Sequence, residues 1–366
     1  MDSGDDVQRL AELTLDPNEA SGLLRVRHTA LLEHYGWDQA FWSVLDEVDV
    51  EDAIVLIGHD AGHGPQDGWA IERLVVQRAG DAGEMRDAES LSRWDRWIYI
   101  FGSHHGGKDG PIRRREQWVA RFHEPSVQAD ESGSGSRGAL EVVDTGFRLH
   151  RIVNDALQAA PVELAPMGPL TRKAFIDATL DELHGTDEAA MIRTDDWTIN
   201  IEGISFTPSG SLLLGLRFPV AADGRPLLVE IDGCQGLFAQ PRAWPRVERV
   251  LVVDAVGRGG DMAGVRDLCV VDDTLHLVTG DLDSAGKGSV IREDYPAGGS
   301  TVSTHFAAPL AGVDGHARVA ATAVAEFPDN PRIEGIAEGP DGRFFYVSDE
   351  DDSVTVRSTP LLASGA

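Results

Sequence analysis

Glu19, Glu89, Glu202, Asp267 and Glu334 lie far apart in the chain, yet each heads a similar short phrase. Four of the phrases are DAESLSRWDRWIYIFGSHH (87–105), NIEGISFTPSGSLLLGLRFP (200–219), VRDLCVVDDTLHLVTGDL (265–282) and RIEGIAEGPDGRFFYVSDE (332–350). A looser copy, NEASGLLRV followed by FWSVLDE, opens the chain. If the five carboxylates meet around one axis, they cannot all stay ionised without a compensating cation. An oxygen-only ring suits a divalent cation, Ca²⁺ first, with Mg²⁺ or Mn²⁺ as alternatives. The plainer reading is that they hydrogen-bond nearby strand-end amides or ordered water and hold nothing.

A second set of residues follows from the spacing. Glu89 to His104, Glu202 to Arg217 and Glu334 to Asp349 are each fifteen positions apart, and Asp267 to Asp281 is fourteen. In a hairpin with a tight turn at its middle, the residue opening the first strand lies beside the residue closing the second. Asp46, His104, Arg217, Asp281 and Asp349 should therefore form an outer ring around the carboxylates. Arg217 is suited to gripping an anionic group bidentately, or else to pairing with one of the acids. His104 can move protons near neutral pH with Asp349 or Glu334 as its carboxylate partner, or it can simply be hydrogen-bonded. Asp46, His105 and Asp281 complete the expected substrate contacts. His59, Asp60 and His63 have metal-like spacing but fall on the opposite face. No nucleophile elbow, phosphate-binding loop, HExxH or paired CxxC occurs.

The elements that must position these residues are strands. Short β-branched and aromatic runs are bounded by Gly, Pro, Asp and Ser, and four of them recur per unit of about 65 residues, the signature of a β-propeller. Five units can be counted. The fifth lacks an outer strand, which the orphan run Val7–Leu13 can supply. The expectation is one all-β domain over 1–366, a five-bladed propeller, with six blades as the alternative. Unit four is expected to use Ser289–Arg292 as its third strand.

The stretch 147–197 breaks the pattern. Phe175, Ile176, Thr179, Leu180 and Leu183 form a helical stripe, with Thr171 as a candidate cap and Gly185 after it, and 147–157 suggests a second helix. A helical insertion between blades two and three would emerge on the edge that carries Glu202, as a lid over the carboxylate mouth.

The phrases DAESLS…IYIFGSHH, IRRREQWVARF, INIEGISF…LLLGLRFPV, GVRDLCVVDDTLHLVTG and RIEGIAEGPDGRFFYVSD together resemble an uncharacterised bacterial β-propeller family, a domain of unknown function related to the esterase-like phytase propeller domain. The resemblance spans most of 87–349 and is carried by the E-G-[IL] strands, the G-S-H of unit two and the G-L-R-x-P of unit three. It implies a propeller and supplies no activity; the first unit and the insertion depart from it.

Composition bounds the function. Thirty-two basic against 61 acidic residues give a net charge of −29, a surface that repels phosphate backbones and anionic membranes. Two cysteines, Cys234 and Cys269, make no disulfide framework. The first residues carry no apolar run of signal-peptide type, so a cytoplasmic location is expected. The resulting expectation is a metal-centred propeller enzyme acting on a small anionic molecule, with hydrolysis of a phosphoester or lactone-type bond as the default. A lyase, isomerase or cyclase on the same site, or a non-catalytic propeller that binds a peptide or protein partner, are the alternatives.

Overall fold

The computed structural model describes residues 7–16, 19–78, 83–129, 136–259, 261–283, 288–328, 332–350 and 353–360, apart from the side chains of 136, 349 and 350. Each recurring unit folds as a four-stranded antiparallel meander, and the five innermost strands adjoin one another in a closed cycle, which makes the chain a β-propeller. Blade one is Ala20–Arg25, Trp37–Leu45, Ile54–Asp60 and Trp69–Arg78; blade two is Ala88–Trp94, Trp97–Gly102, Trp118–His123 and Ser136–Asp144. Blade three is Asn200–Phe206, Leu212–Phe218, Leu227–Asp232 and Arg246–Asp254; blade four is Gly264–Val271, Thr274–Gly280, Ser303–Pro309 and Thr322–Phe327. Blade five is Ile333–Glu338, Phe344–Glu350 and Ser353–Ser358, and the N-terminal strand Gln8–Leu13 pairs antiparallel with the last of these to complete it.

Faces of adjacent blades bury the apolar residues. Every residue of Leu212–Phe218 is buried, as expected for a strand covered on both sides. Two outer edges are sealed by parallel pairing: Trp69–Arg78 with Ser136–Asp144, and Arg246–Asp254 with a short strand, Ala317–Ala320. Such pairing removes exposed edges that would invite association.

The E-G-[IL] phrase has a steric cause. Around the axis the inner strands approach so closely that a Cβ on Gly22 would lie 2.9 Å from Ser90 Cα, one on Gly203 3.0 Å from Asp267 Cα, and one on Gly335 2.8 Å from the Gly22 carbonyl carbon. Where a blade lacks glycine at this level it carries Ser90 or Asp267, whose polar side chains occupy the axis. Ser90 Oγ accepts the Ile204 N–H (3.1 Å) and donates to Asp267 Oδ1 (2.8 Å), and the Ile336 N–H donates to Asp267 Oδ2 (2.9 Å). The N–H groups of Leu23 and Leu268 also reach this carboxyl. One side chain thus gathers bonds from blades one, two, four and five directly, and from three through Ser90.

Blade four departs from the expectation. Ser289 is not in a strand: its Oγ accepts the Arg292 N–H (3.1 Å) and caps a short helix, Val290–Asp294, while the third strand is Ser303–Pro309. A hydroxyl three residues before an N–H donor is an N-cap signal that competes with the β-branched run.

The stretch between blades two and three carries a helix at Arg148–Ala159, and a second helical run from Pro169 to Glu182 that is π-helical over Arg172–Asp177. Leu149, Val153 and Leu157 of the first pack into the core cluster of blade three. The second starts with Pro169 in its first turn, after Gly168, so Thr171 is not its cap; Thr171 Oγ1 instead donates to Asp294 Oδ2 (2.8 Å) of the blade-four loop. Phe175 stacks on His105 at 4.3 Å, and Thr179 Oγ1 accepts the Ile112 N–H (2.9 Å). The insertion thereby braces the loop of blade two that follows Gly102. No helix among the described residues is long and apolar enough to cross a membrane.

Candidate active site

Four of the five inner strands, those of blades two to five, kink at one residue, and that kink decides what faces the mouth. The ladders shift register between Ala88 and Ser90, Ile201 and Gly203, Val265 and Asp267, and Ile333 and Gly335. The bulged residues are therefore Glu89, Glu202, Arg266 and Glu334, and a bulge re-aims its side chain. All four line one cavity of about 350 Å³ at the channel mouth, with Glu19, Asp46, Asp87, His105, Arg217 and Asp283 among its other walls. Glu19, Glu89, Glu202 and Glu334 are thus brought together.

Asp267 is not with them. Strand alternation turns the residue after the bulge toward the axis, and Arg266 holds the mouth position. Sequence reasoning missed Arg266, although its place in V-R-D-L matches that of Glu334 in I-E-G-I.

The outer ring is corrected in the same way. Paired residues at this level are Ile201 with Leu216 and Ile333 with Ser348, fifteen apart, but Ala88 with Gly102 and Val265 with Thr279, fourteen apart. Blades two and four have shorter hairpin turns, so a constant spacing of fifteen overshoots in blade two. Ser103, not His104, lines the cavity. His104 is fully buried behind it, with Nδ1 against the Gly102 carbonyl (2.8 Å) and Nε2 near Thr145 Oγ1 (3.3 Å), and burial lowers its pKa to about 4. A proton-transfer role at the mouth does not fit that placement. Asp281 is likewise turned away: it accepts from Arg292 (3.1 Å) and the Thr301 N–H (2.8 Å), and Asp283 lines the cavity instead. The backbone of Asp349 extends the second strand of blade five, but its side chain lies outside the described residues. His59 bonds Asp38 (2.9 Å) and the Gly64 carbonyl (3.0 Å); neither it nor His63 lines the cavity.

Charge inside the cavity is divided. Arg217 Nη1 donates to Glu202 Oε1 (2.9 Å) and its Nε to the Asp281 carbonyl (3.1 Å), so the arginine expected to grip an anion is already held. Arg266 pairs with Glu334 and stands 3.9 Å from Glu202, yet its Nε and Nη1 have no hydrogen-bond partner. Burial lowers the Arg266 pKa to about 10.

Opposite them, Glu89 is 8% exposed, faces the cavity and makes no hydrogen bond among the described residues. Burial, followed by the nearby charges of Glu202, Asp87 and Asp46, raises its pKa well above the usual carboxylate range. Asp46, which shares a hydrogen bond with Glu19, is raised for the same reasons, burial first. Asp87 donates nothing and accepts from Ser103 Oγ; burial lifts it to about 6. His105, its Nδ1 3.0 Å from Thr198 Oγ1, is lowered by burial to about 4 and is uncharged at neutral pH.

The divalent-cation expectation does not fit this donor set. Of Glu19, Glu89, Glu202, Asp267 and Glu334, two are paired with guanidinium groups and Asp267 is bonded to Ser90 and strand amides. Among the described residues, no group of three or more His, Cys, Asp or Glu side chains is arranged to hold a metal ion. Treating the chain with EDTA is therefore expected to leave Tm unchanged within a degree. A drop of several degrees, reversed by Ca²⁺, would show otherwise.

The titrations also set the pH dependence of stability. A carboxyl whose pKa is raised by folding contributes stability that is present at low pH and lost as pH climbs to its folded value. Burial places Asp87 at about 6 and both Glu116 and Asp267 at about 8, with Glu89 and Asp46 also raised. The lowered histidines act in the opposite sense, over pH 4 to 6.5, and fall silent above it. Tm should accordingly fall by several degrees between pH 6.5 and 9 in a thermal scan; a rising Tm would contradict these assignments.

No family model and no curated protein matches the chain. Solved structures do. The soluble aldose sugar dehydrogenase of Escherichia coli is 13% identical at a TM-score of 0.42, covering 97% of this chain and 99% of its own. Glutaminyl cyclase of Myxococcus xanthus is 11% identical at 0.37, covering 96% of each, and the WD40 β-propeller domain of Doa1 is 11% identical at 0.34, covering 97% of each. At such identities a likeness concerns fold alone, and nothing about substrate or chemistry is taken from these proteins.

Proposed function

We propose that the chain is a propeller enzyme that acts on a small polar substrate in the mouth cavity through proton transfer at Glu89, hydrolysis of an ester or lactone-type bond being the reading that fits best. The observation that carries this is a buried, cavity-facing carboxyl with no hydrogen-bond partner among the described residues, its pKa raised by burial and by the acids around it. A carboxyl whose pKa is raised toward the working pH is suited to general acid–base catalysis. In hydrolysis, water adds to the carbonyl carbon, its proton passes to the carboxylate pair Glu19–Asp46, and Glu89 protonates the departing alkoxide. The unpartnered Nε and Nη1 of Arg266 are donors available to the oxyanion formed in between. No step needs a metal ion. Membership of the uncharacterised propeller family that the repeated phrases resemble is part of this proposal, and the ester reading rests on the cavity alone. The test is turnover of a panel of small esters, lactones and phosphoesters by the full chain. Activity abolished by Glu89→Gln supports the reading. Activity indifferent to that change, or none on any member, overturns it in favour of a binding propeller.

A further inference from the structure

The two halves of the cavity differ in what balances their acids. Toward blades three to five, Glu202 and Glu334 each face a guanidinium. Toward blades one and two, Asp46, Asp87 and Glu89 make no ion pair with any described residue, although all three line the same cavity, whose walls also include Lys108 and Arg332. Two observations inside it point to a ligand. Glu89 is more than nine-tenths buried, aimed into the cavity and without a hydrogen-bond partner among the described residues, and Asp46 Oδ1 is buried and likewise unpartnered among them. Buried polar atoms are almost always satisfied, so acceptors left open in one pocket mark the place of a donor.

The donor's chemistry follows from the acceptors. An anion would meet three acids on this side, the guanidinium groups of Arg217 and Arg266 being paired with Glu202 and Glu334 on the other, and a neutral hydroxyl supplies one donor where several acceptors wait. A metal ion needs oxygens converged to roughly 2.3–2.6 Å, which no described group achieves. An ammonium group brings three N–H donors, hydrogen-bonds at about 2.7–2.9 Å and tolerates acceptors spread around it. We infer that this half of the cavity binds the ammonium group of a small amine, so that the substrate is amine-bearing rather than anionic; the inference rests on reading the cavity as the substrate site.

The experiment titrates the full chain by calorimetry, at fixed ionic strength, with butylammonium, 1-butanol and butyrate, which differ only in the charge and donors of the head group. Butylammonium should saturate at one per chain, with butanol and butyrate at least tenfold weaker. Glu89→Gln and Asp46→Asn should each weaken the ammonium at least tenfold, whereas the exposed Glu12→Gln should not, which separates the cavity from general attraction to an acidic surface. Preference for butyrate or butanol, or ammonium binding unmoved by both cavity substitutions, overturns the inference. The catalytic reading fails separately. If Glu89→Gln abolishes turnover but binds butylammonium as the parent does, the acid–base role stands and the ammonium site falls. If it loses the ammonium while neither protein turns over any amine-bearing ester, the site stands and the catalytic role falls.

Discussion

Glu89→Gln is expected to lower kcat on a responsive substrate by about 10²- to 10⁴-fold, the usual contribution of a positioned proton donor. The substitution is close to isosteric, at a carboxyl whose pKa is raised well above the usual range by burial and by the charges of Glu202, Asp87 and Asp46. Stability should therefore change little, within about 0.5 kcal/mol, and should not decline. The amide cannot release a proton to a leaving group, so kcat should fall whatever happens to KM, and the alkaline limb of the pH–rate profile should disappear with it. Parallel kinetics and thermal scans check this. A variant with normal kcat and a lowered Tm would place Glu89 in the framework and not in the chemistry.

The largest effect on stability is expected from Asp267→Ala. Removing this carboxyl strips the acceptor from Ser90 Oγ and from the N–H of Ile336, with those of Leu23 and Leu268 losing it as well. A buried donor left without a partner costs about 1–3 kcal/mol. Even with partial relaxation, the total over these donors should reach about 3–5 kcal/mol. Asp267→Asn keeps the volume and one acceptor, and should retain part of that difference. Denaturant midpoints at constant m-value measure both. A loss below about 1 kcal/mol for the alanine variant would mean that the axis holds without this residue.

The fold was legible because the propeller repeats its own grammar. The E-G-[IL] strand recurs since adjacent inner backbones leave no room for a side chain at Gly203 and Gly335, and the fifth unit visibly lacked the partner that Gln8–Leu13 supplies. The convergence of Glu19, Glu89, Glu202 and Glu334 followed from the same repeat. What could not be read was register. A side-chain period of two turns a slip of one residue into a change of face, and the slips come from features that composition hides. A two-residue turn at Asp95–Arg96 moved the cavity position from His104 to Ser103. The bulge at Arg266 exchanged a presumed metal ligand for a cation, which changed the chemistry of the whole ring. The partners of Arg217 were equally out of reach, since Glu202 is its cross-strand neighbour only once the bulge is in place.

The last blade borrows its outer strand from the opposite end of the chain, with Gln8 beside Ser358 and Leu13 beside Val354. The ring therefore has a clasp, and its fastening needs contacts between strands far apart in the sequence. Native opening should start there: peeling one short strand frees the blade-five edge and loosens Ile336 from the axis, so slow amide exchange along Ser353–Ser358 would report directly on how tightly the circle is shut.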